Sequence, residues 1–403
     1  MIKHYFENIE WYDYLIYIVY DIIFSYLLYR LGDAFLNINK KASLILVGIF
    51  QFYFLLIMGD SFFNFLPYLP DTELYSYMIS SGQYPDTSSE NILALYYMTI
   101  FIGIISLGDP VIYTIFCVFL YLTAAMIFIR AWKRYRPDFS VQAEVTAALL
   151  LFAWPAPMVY MTAPLREAFI LFGFALFFSG FLIFLKENKW KSLIVGTLFI
   201  CAIRLQLIVF TFPVIGALLV YKIKMHRAFK VGIIVTTLLI AFLAVRYILV
   251  EHPITPETMA QLRNLNLYNA GPLGYGNVDW HSYGDMARDY PFIILQFLFS
   301  PLPIFVQNDP TQTLIPLLDC IFMIVLLVMV IIHLKYYIKN SLPILLLLVF
   351  YIILFGGYEY QLSGAVRHRM PMEMILLLMA APYISKIIFP RRNEKTEHTA
   401  IHA

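Results

Sequence analysis

Four short stretches of this chain carry residue types suited to chemistry, and each lies at the edge of an apolar run. The first is Pro70-Asp71-Thr72-Glu73-Leu74-Tyr75, where two carboxylates open a segment whose Leu74, Tyr75, Met78 and Ile79 recur at helical spacing. A carboxylate just outside an apolar span can act as a general base toward a hydroxyl. The same acids also suit a plain helix start, because the helix dipole favours them there. The second stretch is Thr162-Ala163-Pro164-Leu165-Arg166-Glu167. Pro suits the first helical position and Glu the first turn, but Arg166 opposes the dipole and asks for an anionic partner. That partner is either a bound phosphate or a carboxylate such as Glu167 or Asp71. The third pairs Arg204 with Gln206 between two short apolar runs, where an arginine is costly unless it faces a cavity or a partner. The fourth is Arg367-His368-Arg369-Met370-Pro371, ahead of the last apolar run. Guanidinium groups suit bidentate contact with phosphate. Arg369 has an alternative partner in Glu373 one turn later, whereas Arg367 has none nearby.

The elements that must position these stretches are apolar. Of 403 residues, 61% are hydrophobic and only 13% charged, against about 25% charged in a soluble domain. Runs of the length needed to cross ~30 Å of hydrocarbon recur along the chain. This excludes a soluble enzyme and gives no basis for nucleic-acid binding. The 30 Tyr and 35 Phe, many near the ends of runs, suit the membrane interface. Cys117, Cys201 and Cys320 lie inside apolar runs at no metal-binding or disulfide spacing, and read as buried small hydrophobes. Asp13, Asp21 and Asp319 fall within runs and are expected to be buried against tyrosine hydroxyls.

Thirteen of the fourteen lysines gather at 40–41, 133, 186–191, 222–230, 335–339 and 386–395. Positive-inside bias makes those groups cytoplasmic. The expectation is then about eleven crossings, near 11–31, 42–59, 110–130, 144–162, 164–185, 192–205, 207–221, 231–250, 312–333, 341–356 and 370–389. The N-terminus is expected outside, with the tail 391–403 inside. Parity leaves 91–107 and 291–306 as half-embedded helices, and the short pair 192–205 and 207–221 implies a broken region lining a cavity. The chain 1–403 thus reads as one all-α membrane domain of the cell membrane. Its external segments are 60–90, 251–290 and 357–369, and its outer face holds almost no lysine.

The motifs, in this order and on one side, resemble the GT-C superfamily of polyprenol-dependent membrane glycosyltransferases and the related polymerases of surface polysaccharide. A PD-E--Y motif is matched by Pro70, Asp71, Glu73 and Tyr75. The half-embedded P-LYYLL type of helix is echoed by Asn91-Ile92-Leu93-Ala94-Leu95-Tyr96-Tyr97 without the prolines. A near-terminal RYR-P motif is matched by Arg367, His368, Arg369 and Pro371, with His for Tyr, and Ser300-Pro301-Leu302-Pro303 resembles a Pro-rich external turn. The resemblance implies a GT-C-like helical bundle that moves a sugar or oligosaccharide from a polyprenyl (di)phosphate carrier to a glycan or glycolipid acceptor outside the cytoplasm. It implies Asp71 as base with Glu73 its alternate. Arg166, Arg204, Arg367, His368 and Arg369 would hold the donor phosphate, and Tyr75, Glu167 and Gln206 would position substrate. No cofactor beyond the lipid-linked donor is implied, no residue is assigned to a metal, and a divalent ion stays open. The neighbouring reading is a repeat-unit polymerase of the O-antigen or exopolysaccharide kind. A lipid-linked glycan flippase or transporter is the rival of another class; it would call for inverted repeats and midplane charge.

Overall fold

The computed structural model describes residues 6, 9–67, 69, 71–83, 93–222, 224, 226–249, 255–270, 274, 276–302 and 310–390. Among these the chain is helical apart from turns, irregular links and one isolated bridge between Gly274 and Gln361. In order, the helices are α1 Trp11–Arg30, α2 Lys40–Phe63, α3 Asp71–Ser81, α4 Leu93–Ile105, α5 Pro110–Tyr135, α6 Val141–Ala153, α7 Pro157–Tyr160, α8 Glu167–Glu187 and α9 Lys191–Ile203. There follow α10 Ile208–Lys222, α11 Arg227–Leu249, α12 Pro256–Ala270, α13 Tyr283–Phe299, α14 Pro310–Ile332, α15 Leu334–Tyr358 and α16 Leu362–Ile388. Among the described residues, eight segments are long and apolar enough to cross a membrane: α1, α2, α5, α8, α10 together with the 3-10 turn at Leu205–Leu207 before it, α14, α15 and α16, with α6, α9 and much of α11 as shorter apolar helices. The outward faces of α1, α11 and α14 carry exposed Leu15, Val19, Ile22, Val235, Leu239, Ile321 and Val325. Helices that turn leucine and isoleucine away from the protein are solvated by lipid. This is the architecture of a multi-pass helical membrane protein.

Local chemistry sets many of the boundaries. Asp109 caps α5 by accepting from the backbone N–H groups of Val111 at 2.6 Å and Ile112 at 3.3 Å, with Pro110 in the first turn. Ser140 caps α6 and Ser282 caps α13, while α2 and α8 end on left-handed Asn64 and Asn188. At the centre α8 packs against α5 and α9. A Cβ on Gly180 would meet the Leu193 Cα at 2.4 Å, and one on Gly196 would meet the Phe177 backbone nitrogen at 2.4 Å. Small residues let α8 and α9 touch backbone to backbone, as membrane helices do.

Some expectations are altered. The half-embedded helix expected over 91–107 is α4, whose 13 residues span about 20 Å, too short to cross. The one expected over 291–306 begins earlier, because the Ser282–Asp285 capping box starts α13 at Tyr283, and Pro291 lies inside it. The segment 251–290 is not an open loop: α12 and the start of α13 occupy much of it. The segment 357–369 is shorter still. Glu359 accepts from the N–H groups of Tyr360 and Gln361, both at 3.0 Å, and that turn starts α16 at Leu362. The Arg367-His368-Arg369 run therefore sits within the helix rather than before it. The tail 391–403, Pro70, Asn91, Ile92 and Pro303 lie outside the described residues.

Candidate functional site

Two interruptions of regular helix meet at the same end of the bundle. Between α6 and α8 the chain runs through the single turn α7 and an irregular link up to Arg166, and most of this link is buried. Between α9 and α10 it breaks at Arg204, which is extended at φ −145°, ψ 96°, before a 3-10 turn at Leu205–Leu207. Non-helical backbone at membrane depth is tolerated only where protein or a wet cavity satisfies its polar groups. The start of α3 and the first turns of α16 complete the site.

Arg367 is its centre. Its Nη1 donates to Asp71 Oδ2 at 2.7 Å and to Glu167 Oε1 at 3.3 Å. Asp71 remains half exposed, whereas Glu167 is buried. The Arg367 Nε and the Glu167 Oε2 are buried with no hydrogen-bond partner among the described residues. Arg166 stands at the start of α8, half-buried beside Tyr75, Glu167 and Asp71, and makes no hydrogen bond among the described residues. Arg367, not Arg166, takes the two acids. Tyr75 is buried against this group, and burial pushes its phenol up, with Arg166 pulling the other way.

Arg204 joins from the far side. Its Nε donates to Gln206 Oε1 at 3.1 Å, and its Nη1 lies 2.7 Å from His368 Nε2. A guanidinium only donates, so His368 Nε2 accepts and its Nδ1–H donates to Glu359 Oε2 at 2.5 Å. Burial raises the Glu359 carboxyl, but His368 and the two backbone N–H groups outweigh it and hold it below the usual carboxylate range. Arg204, Arg367, His368 and Glu167 line one narrow crevice of about 20 Å³ with Phe174 and Tyr351.

In comparisons with known proteins, no family model, no curated protein and no solved structure matches the chain. The likeness to the GT-C enzymes accordingly rests on the short motifs quoted above.

The structure separates two residues from this group. Glu73 lies on the opposite face of α3 from Asp71 and Tyr75, and lines a different cleft. Arg369 is fully buried. Its Nη2 donates to Asp319 Oδ2 at 2.6 Å and its Nε to Glu373 Oε1 at 2.8 Å. Its Nη1 donates to the carbonyls of Phe297, Leu298 and Ser300 at the end of α13. These bonds leave Arg369 turned into the bundle, as the alternative pairing with Glu373 anticipates, and not toward the crevice. Asp319 also differs from expectation. It accepts from Arg369, from Trp154 Nε1 at 3.1 Å and from the Ala156 N–H at 3.2 Å, not from a tyrosine. Asp21 bonds the Gln51 side chain at 2.8 Å, and Asp13 caps the start of α1 by accepting from the Glu10 N–H at 2.8 Å.

Sequence reasoning missed Glu359 and Tyr351, whose hydroxyl donates to the His368 carbonyl. The signal for Glu359 is present: it is the one carboxylate in the short segment before Arg367-His368-Arg369. No group of three or more metal-ligating side chains forms a metal site among the described residues.

Proposed function

We propose that this chain is a membrane glycosyltransferase in which Arg166, Arg204 and Arg367 bind the phosphate of a polyprenyl-linked sugar and Asp71 activates the acceptor hydroxyl. The observation that carries this reading is the convergence of Arg204 and Arg367 on one crevice, with a buried Arg367 Nε that has no hydrogen-bond partner among the described residues and an adjacent Arg166 that makes no hydrogen bond among them. Donors held out of water without acceptors are unfavourable unless an anion completes them. A phosphate at Arg367 competes for the same guanidinium that holds Asp71 at 2.7 Å. Donor binding thereby releases Asp71 to take the acceptor proton. In the transfer, the acceptor oxygen bonds to the sugar anomeric carbon as the bond from that carbon to the phosphate oxygen breaks. The charge left on the phosphate is stabilised by the arginines.

The test uses the purified full chain in nanodiscs. Polyprenyl phosphate should bind the wild type, and Arg367→Lys should bind it roughly ten- to a hundredfold more weakly, because an ammonium cannot reproduce the planar fork. Asp71→Asn should keep donor-lipid binding and lose transfer, since the amide cannot take a proton. Wild-type affinity in Arg367→Lys, with its melting temperature intact, would sink the phosphate role. Transfer retained in Asp71→Asn would reduce that residue to a helix start.

A further inference from the structure

Glu359 lies behind the crevice rather than in it, in the turn between α15 and α16. It is 1% exposed, and its two oxygens have different partners. Oε1 accepts from the N–H groups of Tyr360 and Gln361, which builds the turn. A serine, asparagine or glutamine oxygen can accept in the same way, so the turn alone does not call for a buried charge. Oε2 accepts instead from His368 Nδ1. Only a carboxylate accepts with both of its outer atoms, because an amide puts a donor in the second place. Two neighbours hold the carboxylate there. The Arg263 Nη1 donates to the Glu359 backbone carbonyl and ties α12 to the turn. A Cβ on Gly364 would stand 2.8 Å from the Glu359 Cδ, so the first turn of α16 is bare where the carboxylate lies against it.

We propose that Glu359 is a positioning residue: by fixing the His368 proton on Nδ1, it turns the Nε2 lone pair to Arg204 and aims that guanidinium at the crevice. That Arg204 meets a phosphate there rests on the transferase reading; the relay itself does not. Arg204 stands at a break between helices, and its guanidinium is held at two points. Its Nε is held by Gln206 Oε1 at 3.1 Å, within the break, and its Nη1 by His368 Nε2 at 2.7 Å, across on α16. A neutral imidazole has one donor and one acceptor, so the bond at one nitrogen decides the role of the other. With glutamine at 359, the amide oxygen stays on the two backbone N–H groups and the NH2 faces Nδ1. His368 must then carry its proton on Nε2, where it meets the Arg204 Nη1 as a second donor. The hold across to α16 is lost with almost no change in side-chain size.

The experiment has one arm without lipid and one with it, both on the purified full chain in nanodiscs. In the first, nitrogen-15 histidine spectra at mildly alkaline pH should show His368, assigned by its loss in His368→Asn, as the Nδ1–H tautomer. Glu359→Gln should convert it to Nε2–H. In the second, Glu359→Gln should weaken polyprenyl phosphate binding by about tenfold, the loss expected for one charged hydrogen bond. Arg204→Gln should weaken it at least as much. Adding Glu359→Gln to Arg204→Gln should then cost nothing more, because Glu359 acts through Arg204. A His368 tautomer unchanged in Glu359→Gln, or two losses that simply add, overturns the proposal and leaves Glu359 as part of the turn. Should Glu359→Gln fail to fold, Gly364→Ala takes its place, since it keeps every charge and crowds the carboxylate; wild-type tautomer and affinity there overturn the proposal. A wild type that binds no polyprenyl phosphate sinks the transferase reading, and the tautomer change then decides the relay by itself.

Discussion

Arg367 and Arg369 are two residues apart on one helix, so they point about 200° apart around its axis. Arg367 reaches Asp71 and Glu167 at the crevice, and Arg369 reaches Asp319 and Glu373 inside the bundle. The sequence Arg-His-Arg tells the two cations apart only by the Glu373 one turn after Arg369; the helical phase makes them different tools. Trp154 Nε1 donates to both acids of the inner group, at 3.1 and 2.8 Å, so the end of α6 is tied to α14 and α16 through them. The cation also caps the last carbonyls of α13, where the helix dipole favours it. Arg369→Met leaves two buried carboxylates without a cation and is expected to cost about 3–5 kcal/mol, read as poor folding yield and a lower melting temperature in detergent. Glu373→Gln keeps an oxygen facing the Arg369 Nε and should be much milder. If Arg369→Met melts normally and loses affinity for polyprenyl phosphate instead, the inward assignment is wrong.

At the scale of elements, the site exists because helices stop. The break at Arg204 was legible, since polar residues between two apolar runs too short to cross leave few other folds. The acidic start of α3 was legible from residue type alone. The early start of α16 was not, because Pro371 reads as a helix beginning, and the turn built by Glu359 depends on contacts with His368 and the backbone. The Asp319–Arg369 pair joins helices fifty residues apart in sequence and leaves no local pattern. The α8–α9 contact likewise shows in sequence only as scattered glycines. In space, Gly180 and Gly196 bring the backbones of α8 and α9 together, and a larger side chain must push them apart. Gly196→Val is expected to lower the melting temperature and to weaken binding at the crevice, because α9 carries Arg204 at its end. A Gly196→Ala variant, with one carbon to accommodate, should lie between. A Gly196→Val protein with unchanged melting temperature would show that this packing does not hold the bundle.

Across the whole molecule, lysines from several of the groups that sequence places on one side lie together, with Lys186 on the Arg134 carbonyl, Lys386 in a cleft with Arg136, and the start of α2 at Asn39 bonded to the Glu144 that pairs with Lys133. Lys133 pairs with Glu144, Arg134 and Lys189 pair with Glu187, and Arg136 pairs with Asp138. The other end holds Asp71, Glu73, Asp109, Asp279 and Asp285, and the arginines there are tied into the site or into local acid pairs such as Arg288 with Asp289. Positive-inside bias is counted over basic residues in short loops near span ends, and Arg204, Arg367 and Arg369 are held by partners within the bundle rather than in such loops. Positive-inside bias predicts an orientation with the arginine crevice outside and the lysine end in the cytoplasm. Single cysteines test it in a background where Cys117, Cys201 and Cys320 are changed to alanine. Asp279 is 86% exposed and Lys189 69% exposed, and neither lies in the site. On intact cells, a membrane-impermeant maleimide should label Asp279→Cys and spare Lys189→Cys until the membrane is opened. The reverse pattern would put the arginine crevice in the cytoplasm. A donor carried on an outward-facing polyprenyl phosphate could not then reach it, and the proposed transfer would fail with the topology.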